Sequence, residues 1–241
     1  MMLMKVDFHT HILPGIDDGS SSTEESVEML KAEKEQGIEV IVATPHFYPQ
    51  SDRPERFLQR RQEAYEKLME KTSADNFPHI VLGAEVYYFK GIGRWEGLKD
   101  MTIGNTNYVL IEMPMEKWTR RMYDDIYDIY RSQGLIPVIA HLDRYINIFN
   151  ANRILKELAE LNIVVQANTS FFIDKSSRKL ALKLLKNNVI NIIGTDCHNM
   201  TNRLPNLARA AQLIKQLRGE EYISRLNLTA KNILPEKINN L

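Results

Sequence analysis

A chain of 241 residues with one cysteine, Cys197, cannot form an intrachain disulfide, so its fold must rest on packing. Net charge is missing too: 31 lysines and arginines balance 31 aspartates and glutamates, which removes the broad field that draws nucleic acid or an anionic membrane. Any anion must then be held locally. No run approaches the roughly 20 apolar residues needed to cross a bilayer, and no low-complexity tract or charge block suggests a tail or linker. Met1 to Asp7 is too short and too polar to read as a secretory signal, so a cytoplasmic protein is expected. With 44% hydrophobic residues the chain can bury one substantial core, and a single domain over residues 1–241 is the expectation.

Histidine is scarce, with six in the chain, yet five stand at or just after the ends of short apolar runs, together with four acidic residues. The runs are Lys5 to His9, Val40 to His46, Ile80 to Glu85, Tyr108 to Glu112, Ile136 to His141 and Ile190 to His198. A seventh, Ile163 to Asn168, carries no obvious ligand, though Asn168 is placed to orient one. Helical spacing fills the gaps at Thr23 to Gln36, Pro54 to Lys71, Trp118 to Gln133, Asn152 to Leu161, Ser176 to Asn187 and Leu204 to Leu217. Ser22 and Glu25 fit a capping box, and Gly37 and Gly134 fit helix stops. Apolar runs rich in valine and isoleucine, alternating with helices, indicate a parallel sheet covered on its faces.

Closure into a distorted seven-stranded (β/α)7 TIM-like barrel is the expected architecture, because its C-terminal strand ends converge on one mouth. An open sheet would spread the same donors along a line. Tyr87 to Thr106, with four glycines and no clear period, is expected to form an irregular rim.

His9 and His11 are two apart on a strand end, so both imidazoles project to one side while Thr10 faces away. Asp196 and His198 repeat the spacing, with Cys197 directed elsewhere if the chain is still extended. Two such pairs, supported by His46, Glu85, Glu112 and His141, read as a multinuclear metal site. His79 precedes its strand and is left out. Of Asp17 and Asp18, turn chemistry is expected to hold one and metal the other. Arg144 and Arg203 follow His141 and His198 closely, where planar guanidinium forks can clamp phosphate oxygens.

These residues resemble the polymerase and histidinol phosphatase (PHP) superfamily of metal-dependent phosphoesterases over nearly the whole chain. The likeness lies in Asp7-Phe-His9-Thr-His11, Asp17-Asp18-Gly19, Thr44-Pro-His46, Gly83-Ala-Glu85, Glu112, His141 and Gly194-Thr-Asp196-Cys-His198. Glu85-Val-Tyr-Tyr88, His141-Leu-Asp-Arg144 and Asp196-Cys-His198-Asn look in particular like the capsule and exopolysaccharide tyrosine phosphatases of mainly Gram-positive bacteria. The resemblance implies three divalent metals. His9, His11, Glu85 and Asp196 would hold the first, a bridging Glu85 with Glu112 and His141 the second, and Asp18, His46 and His198 the third.

Nitrogen and carboxylate donors without thiolate suit manganese, iron or zinc, and the resemblance favours manganese. Three dications among Asp18, Glu85, Glu112 and Asp196 would leave a cluster of roughly +2, which attracts a phosphate dianion. The implied reaction is phosphate monoester hydrolysis by a hydroxide held between metals. The implied partner is the phosphotyrosine tail of a bacterial autokinase that controls polysaccharide export. Tyr87, Tyr88, Phe47 and Tyr48 are candidate contacts for its phenyl ring.

A rival chemistry is written in the same segment. Cys197 followed by five residues and Arg203 matches the bare spacing of thiol-dependent tyrosine phosphatases, but His198 to Asn202 has none of the glycines that help such a loop cradle phosphate. Histidinol phosphatase, a small nuclease or phosphodiesterase, and a metal-storage scaffold are the remaining alternatives.

Overall fold

The structure is a computed structural model that describes residues 4–72, 77–148 and 151–238. Its strands are β1 (Val6–Thr10), β2 (Val40–Ala43), β3 (His46–Phe47), β4 (His79–Leu82), β5 (Glu85–Tyr87), β6 (Tyr108–Glu112), β7 (Ile136–Ile139), β8 (Val164–Asn168) and β9 (Ile192–Gly194). Every pairing is parallel, in a sheet ordered β1-β2-β4 and a second ordered β3-β5-β6-β7-β8-β9. The result is an α/β protein whose parallel sheets curl around a common centre.

Two of the seven apolar runs are each broken into two strands. Pro45 has no amide proton to give a ladder, and beyond it the chain changes partners: Thr44 donates to the Thr10 carbonyl, and Glu85 to the Pro45 carbonyl. β2 therefore pairs with β4 in one sheet, whereas β3 pairs with β5 in the other. The last strand reaches the first by backbone bonds beyond its own end. Asp196 N–H donates to the His9 carbonyl at 2.7 Å and His11 N–H to the Cys197 carbonyl at 2.9 Å.

Alternate strand residues Val6 and Phe8, Val40 and Val42, and Val138 and Ala140 join Val81, Leu110 and Ile192 in one buried apolar cluster. Ala230 and Ile233 close it, from the helix Glu220–Ile233 that sequence periodicity did not bring out. Burying such side chains stabilises by about 1.5–3 kcal/mol each, which fixes the frame beneath the donors. The expected helices are present as Thr23–Glu35, Pro54–Thr72, Arg120–Gln133, Ala151–Ala159, Arg178–Lys186 and Leu207–Arg218. Two short helices were not anticipated, Leu142–Ile148 directly behind His141 and Thr169–Ile173 directly behind β8.

The first helix has only half of its expected capping box. Ser22 Oγ accepts from Glu25 N–H, but the Glu25 carboxylate turns to Ser21 instead of the Ser22 amide. The third starts two residues late, because the Thr119 hydroxyl caps it. Between β5 and β6, three 3-10 turns within residues 92–105 take the place of a helix. His79 opens β4 on the protein surface, away from the other histidines.

Candidate metal centre

All nine donors expected from the sequence converge on one rim, most at or just beyond strand ends, with His46 and Glu85 opening β3 and β5 and Asp18 on the loop after β1. His9 Nε2 lies 3.1 Å from Glu85 Oε2 and 3.5 Å from Asp196 Oδ1, and His11 Nε2 lies 3.3 and 3.5 Å from the same two atoms. His141 Nε2 is 2.8 Å from Glu85 Oε1 and 3.4 Å from Glu112 Oε1. On the outer side, Asp18 Oδ1 is 3.5 Å from both His46 Nε2 and His198 Nε2, while His46 Nδ1 looks inward to Glu85 at 3.0 Å. Glu85 is thus the hub, touched by four imidazoles. Among these donors, groups with atoms close enough to share one ion are His11, Asp18, His46 and His198; His9, His11 and Asp196; and His46, Glu85 and Glu112, while a fourth group, Asp7, Glu33 and Cys197, lies outside them. Here His11 and His46 each fall in two groups, whereas the resemblance shares out Glu85.

Backbone strain and glycine make this convergence possible. The chain is not extended through Asp196 as the repeat of the His9 and His11 spacing supposed; Asp196 takes a left-handed φ of 56° and His141 one of 29°. Cys197 still points away, because that bend leaves its sulfur buried 3.9 Å from Glu33 Oε1. A Cβ on Gly194 would come within 2.5 Å of His9 Cβ, and one on Gly19 within 2.3 Å of the His11 carbonyl oxygen. Only glycine lets those two loops lie against the histidine pair.

A layer of polar residues fixes the imidazoles. His11 Nδ1 donates to Asp17 Oδ2 at 2.7 Å, which presents Nε2 to the centre; Asp17 also accepts from the His46 and Gly19 amides. Of the two adjacent aspartates, Asp17 therefore shapes the turn and orients a histidine, while Asp18 faces the outer donors. His198 Nδ1 contacts the Asp196 carbonyl at 3.0 Å, again freeing Nε2. Gln166, which no sequence pattern singled out, accepts from His9 Nδ1 and from the His141 amide. Its amide group donates to Asn168, and Asn168 donates to Asp196 Oδ2 at 3.0 Å, the orienting role anticipated for it. Deeper still, Asp7 receives Thr195 N–H, Thr195 Oγ1–H and His9 N–H, tying β1 to the Asp196 loop.

The donors fit divalent cations. Glu85 Oε2, Glu112 Oε2, His46 Nδ1, His141 Nδ1 and His198 Nε2 are buried without hydrogen-bond partners, a costly arrangement for polar atoms. Metal-free, the cluster compensates by gathering protons. Burial disfavours imidazolium at His141, but the Glu112 and Glu85 carboxylates outweigh it and push its pKa up to about 9. At His11 burial is likewise outweighed, by Asp17, and the pKa rises well above the usual histidine value. Burial opposes ionisation of Glu85 and Asp196 too; the imidazoles, led by His9, hold both carboxyls well below their ordinary range.

Both arginines reach this cluster. Arg144 pairs with Asp196 Oδ2 and stands 3.6 Å from Glu112, and Arg203 stands 2.7 Å from Asp196 Oδ1. The aromatic candidates divide. Phe47 is buried against Trp95, and Tyr88 is buried with its hydroxyl donating to Asp125 at 2.7 Å, so neither is free to meet a ligand ring. Tyr48 is 40% exposed and stacks on His46, with Tyr87 beside it. The thiol reading fails here, because Cys197 is fully buried and its pKa is driven well above the ordinary value by that burial and by the neighbouring Glu33.

Parallel strands delivering imidazole and carboxylate groups to one rim, with two arginines beside them, define a metalloprotein of the α/β class. The chain belongs to the family described as capsular polysaccharide synthesis, CpsB/CapC, whose model matches residues 5–235. It is 30% identical over 242 residues to tyrosine-protein phosphatase CpsB of Streptococcus agalactiae serotype III, covering 95% of this chain and 98% of that one. It is 29% identical over 234 residues to tyrosine-protein phosphatase YwqE of Bacillus subtilis, covering 95% and 91%. A crystal structure described as that of the metal-dependent tyrosine phosphatases YwqE and CpsB of Streptococcus pneumoniae superposes with a TM-score of 0.83 at 28% identity, covering 95% of this chain and 94% of the other.

Proposed function

We propose that this protein is a metal-dependent protein-tyrosine phosphatase acting on the phosphorylated tail of a bacterial tyrosine autokinase that governs capsule or exopolysaccharide synthesis. The observation that carries the reading is the convergence of nine buried or rim-placed donors around Glu85, several of their polar atoms buried without hydrogen-bond partners, in a chain that shares its family with named tyrosine phosphatases. His9, His11, Asp18, His46, Glu85, Glu112, His141, Asp196 and His198 are the proposed ligands. They would hold three divalent cations; imidazole and carboxylate donors without thiolate suit manganese, iron or zinc alike, and the family resemblance favours manganese. We read the nine strand segments as seven positions of one distorted barrel in a single cytoplasmic domain. Among the described residues no helix is long and apolar enough to cross a membrane.

When bound, such cations activate water near neutral pH and neutralise phosphoryl oxygens. The protein's own groups do the rest. Arg144 and Arg203, set against Asp196 and Glu112, would offer their forks to the phosphoryl oxygens where those carboxylates engage cations, and would orient the group for in-line attack. Asp17 and Gln166 keep the His11 and His9 lone pairs directed inward throughout. Tyr48 and Tyr87 offer an apolar wall to the phenyl ring, and a phenolate leaving group demands little proton transfer. Comparing turnover of a phosphotyrosine peptide, histidinol phosphate and a short oligonucleotide tests the assignment. The peptide is expected to lead by orders of magnitude, and a lead for either competitor would replace this reading.

A further inference from the structure

Beside the outer donors Asp18 and His46 opens a cleft of about 510 Å³. Tyr48 and Asp52 line it, together with Arg56 and Arg60 from the start of the helix Pro54–Thr72. The charges along it are spent unevenly. Arg60 pairs with Asp52 and also donates to the Ile16 carbonyl at 2.9 Å, so it ties the helix to the loop that carries Asp18. Asp17 is consumed by His11 and the loop amides. Arg56 is different. One helical turn before Arg60, it is exposed, and its guanidinium makes no hydrogen bond or ion pair among the described residues. It also lines a second, adjoining recess with Arg53, so the cleft carries an uncompensated positive charge there.

A cleft lined both by proposed metal ligands, Asp18 and His46, and by an unpaired guanidinium, Arg56, suits a peptide that carries a phosphate and a nearby carboxylate. We propose that it is a subsite for residues flanking the phosphotyrosine, in which an aspartate or glutamate side chain engages Arg56. The inference rests on the phosphatase reading and adds a substrate class to it: tyrosines set in acidic sequence. Tyr48, exposed above His46, offers the intervening peptide an apolar surface. Since Arg56 is solvent-exposed, the preference should weaken as salt screens it.

The test measures kcat/KM of the full-length, metal-loaded protein on two phosphotyrosine peptides that differ only in carrying glutamates or glutamines at the flanking positions. The expected wild-type preference for the acidic peptide is about tenfold, the scale of one good charge-assisted contact. R56A should bring the ratio near unity, R56E should invert it, and R56K should keep part of it. A wild-type ratio near unity, or a preference that survives in R56E, overturns the subsite while leaving the phosphatase standing. Failure to turn over either peptide overturns both.

Discussion

His11 Nδ1 and Asp17 Oδ2 stand 2.7 Å apart, and this one bond decides which face of the imidazole meets the metal centre. Aspartate is the residue of choice because an ionised carboxylate fixes the tautomer and raises the basicity of the opposite nitrogen. Asp17→Ala should therefore weaken metal affinity by about 10–100-fold while leaving the fold intact. Titration of metal into the chelator-stripped variant, followed by calorimetry, checks this. Unchanged affinity would mean that Asp17 serves only its turn.

Cys197 and Arg203 keep the spacing of a thiol phosphatase but not its geometry. Cys197→Ser should keep phosphatase activity within about twofold, because burying a slightly smaller hydroxyl beside Glu33 disturbs no donor. Steady-state kinetics with and without a thiol-alkylating reagent decides it. Loss of more than about a hundredfold would restore nucleophilic chemistry to that sulfur.

Beneath the donors, the Asp7 and Glu33 carboxyls are buried together, and both have raised pKa values, first from burial and, for Glu33, from Asp7 as well. One proton shared by the pair accounts for two acids in a dry site. Glu33→Gln retains the shape and supplies a permanent donor, so it should cost less than about 1 kcal/mol, whereas Glu33→Ala opens a cavity and orphans Asp7 at a cost of about 2–4 kcal/mol. Denaturant unfolding of both variants separates these outcomes; equal costs would argue that volume alone matters.

Much of the site could be read from residue order because strand ends are where a parallel sheet presents side chains, so His9, His46, Glu85, Glu112 and His141 marked themselves. Asn168 followed from the same placement, whereas turn chemistry foretold a split between Asp17 and Asp18 and the family resemblance gave the metal to Asp18. Gln166 and Glu33 were not legible. Gln166 sits inside an apolar strand, and Glu33 on a helix whose other glutamates are solvated, so only the spatial neighbours His9, His141 and Asp7 give them meaning. The breaks in two apolar runs were hidden for a related reason. Pro45 signals a lost donor, but not that the chain beyond it changes to another sheet.

Metal binding and protonation compete for the same nitrogens. In metal-free protein the His141 pKa is about 9 against 6.5 for an unperturbed imidazole, so protonation stabilises the folded chain fully below pH 6.5. That contribution is lost as pH rises from 6.5 to about 9, and His11 shifts in the same direction. The Tm of metal-free protein should accordingly fall across this window, and the metal-loaded protein should not follow it. Calorimetric metal titrations at pH 7 in buffers of different ionisation enthalpy should also show protons released on loading. A metal-free Tm that rises across the window would refute the assigned charge states.

Glu85 offers the most direct test, since four imidazoles and any cations among them meet at its carboxylate. Elemental analysis of purified wild-type protein and of Glu85→Gln, paired with turnover of a phosphotyrosine peptide, reads the centre and the chemistry together. The expected result is about three equivalents of divalent metal in wild type, with at least one lost in the variant and activity down by about a thousandfold or more. Full activity in wild-type protein stripped of metal, or in a Glu85→Gln variant that has lost it, would contradict the central claim.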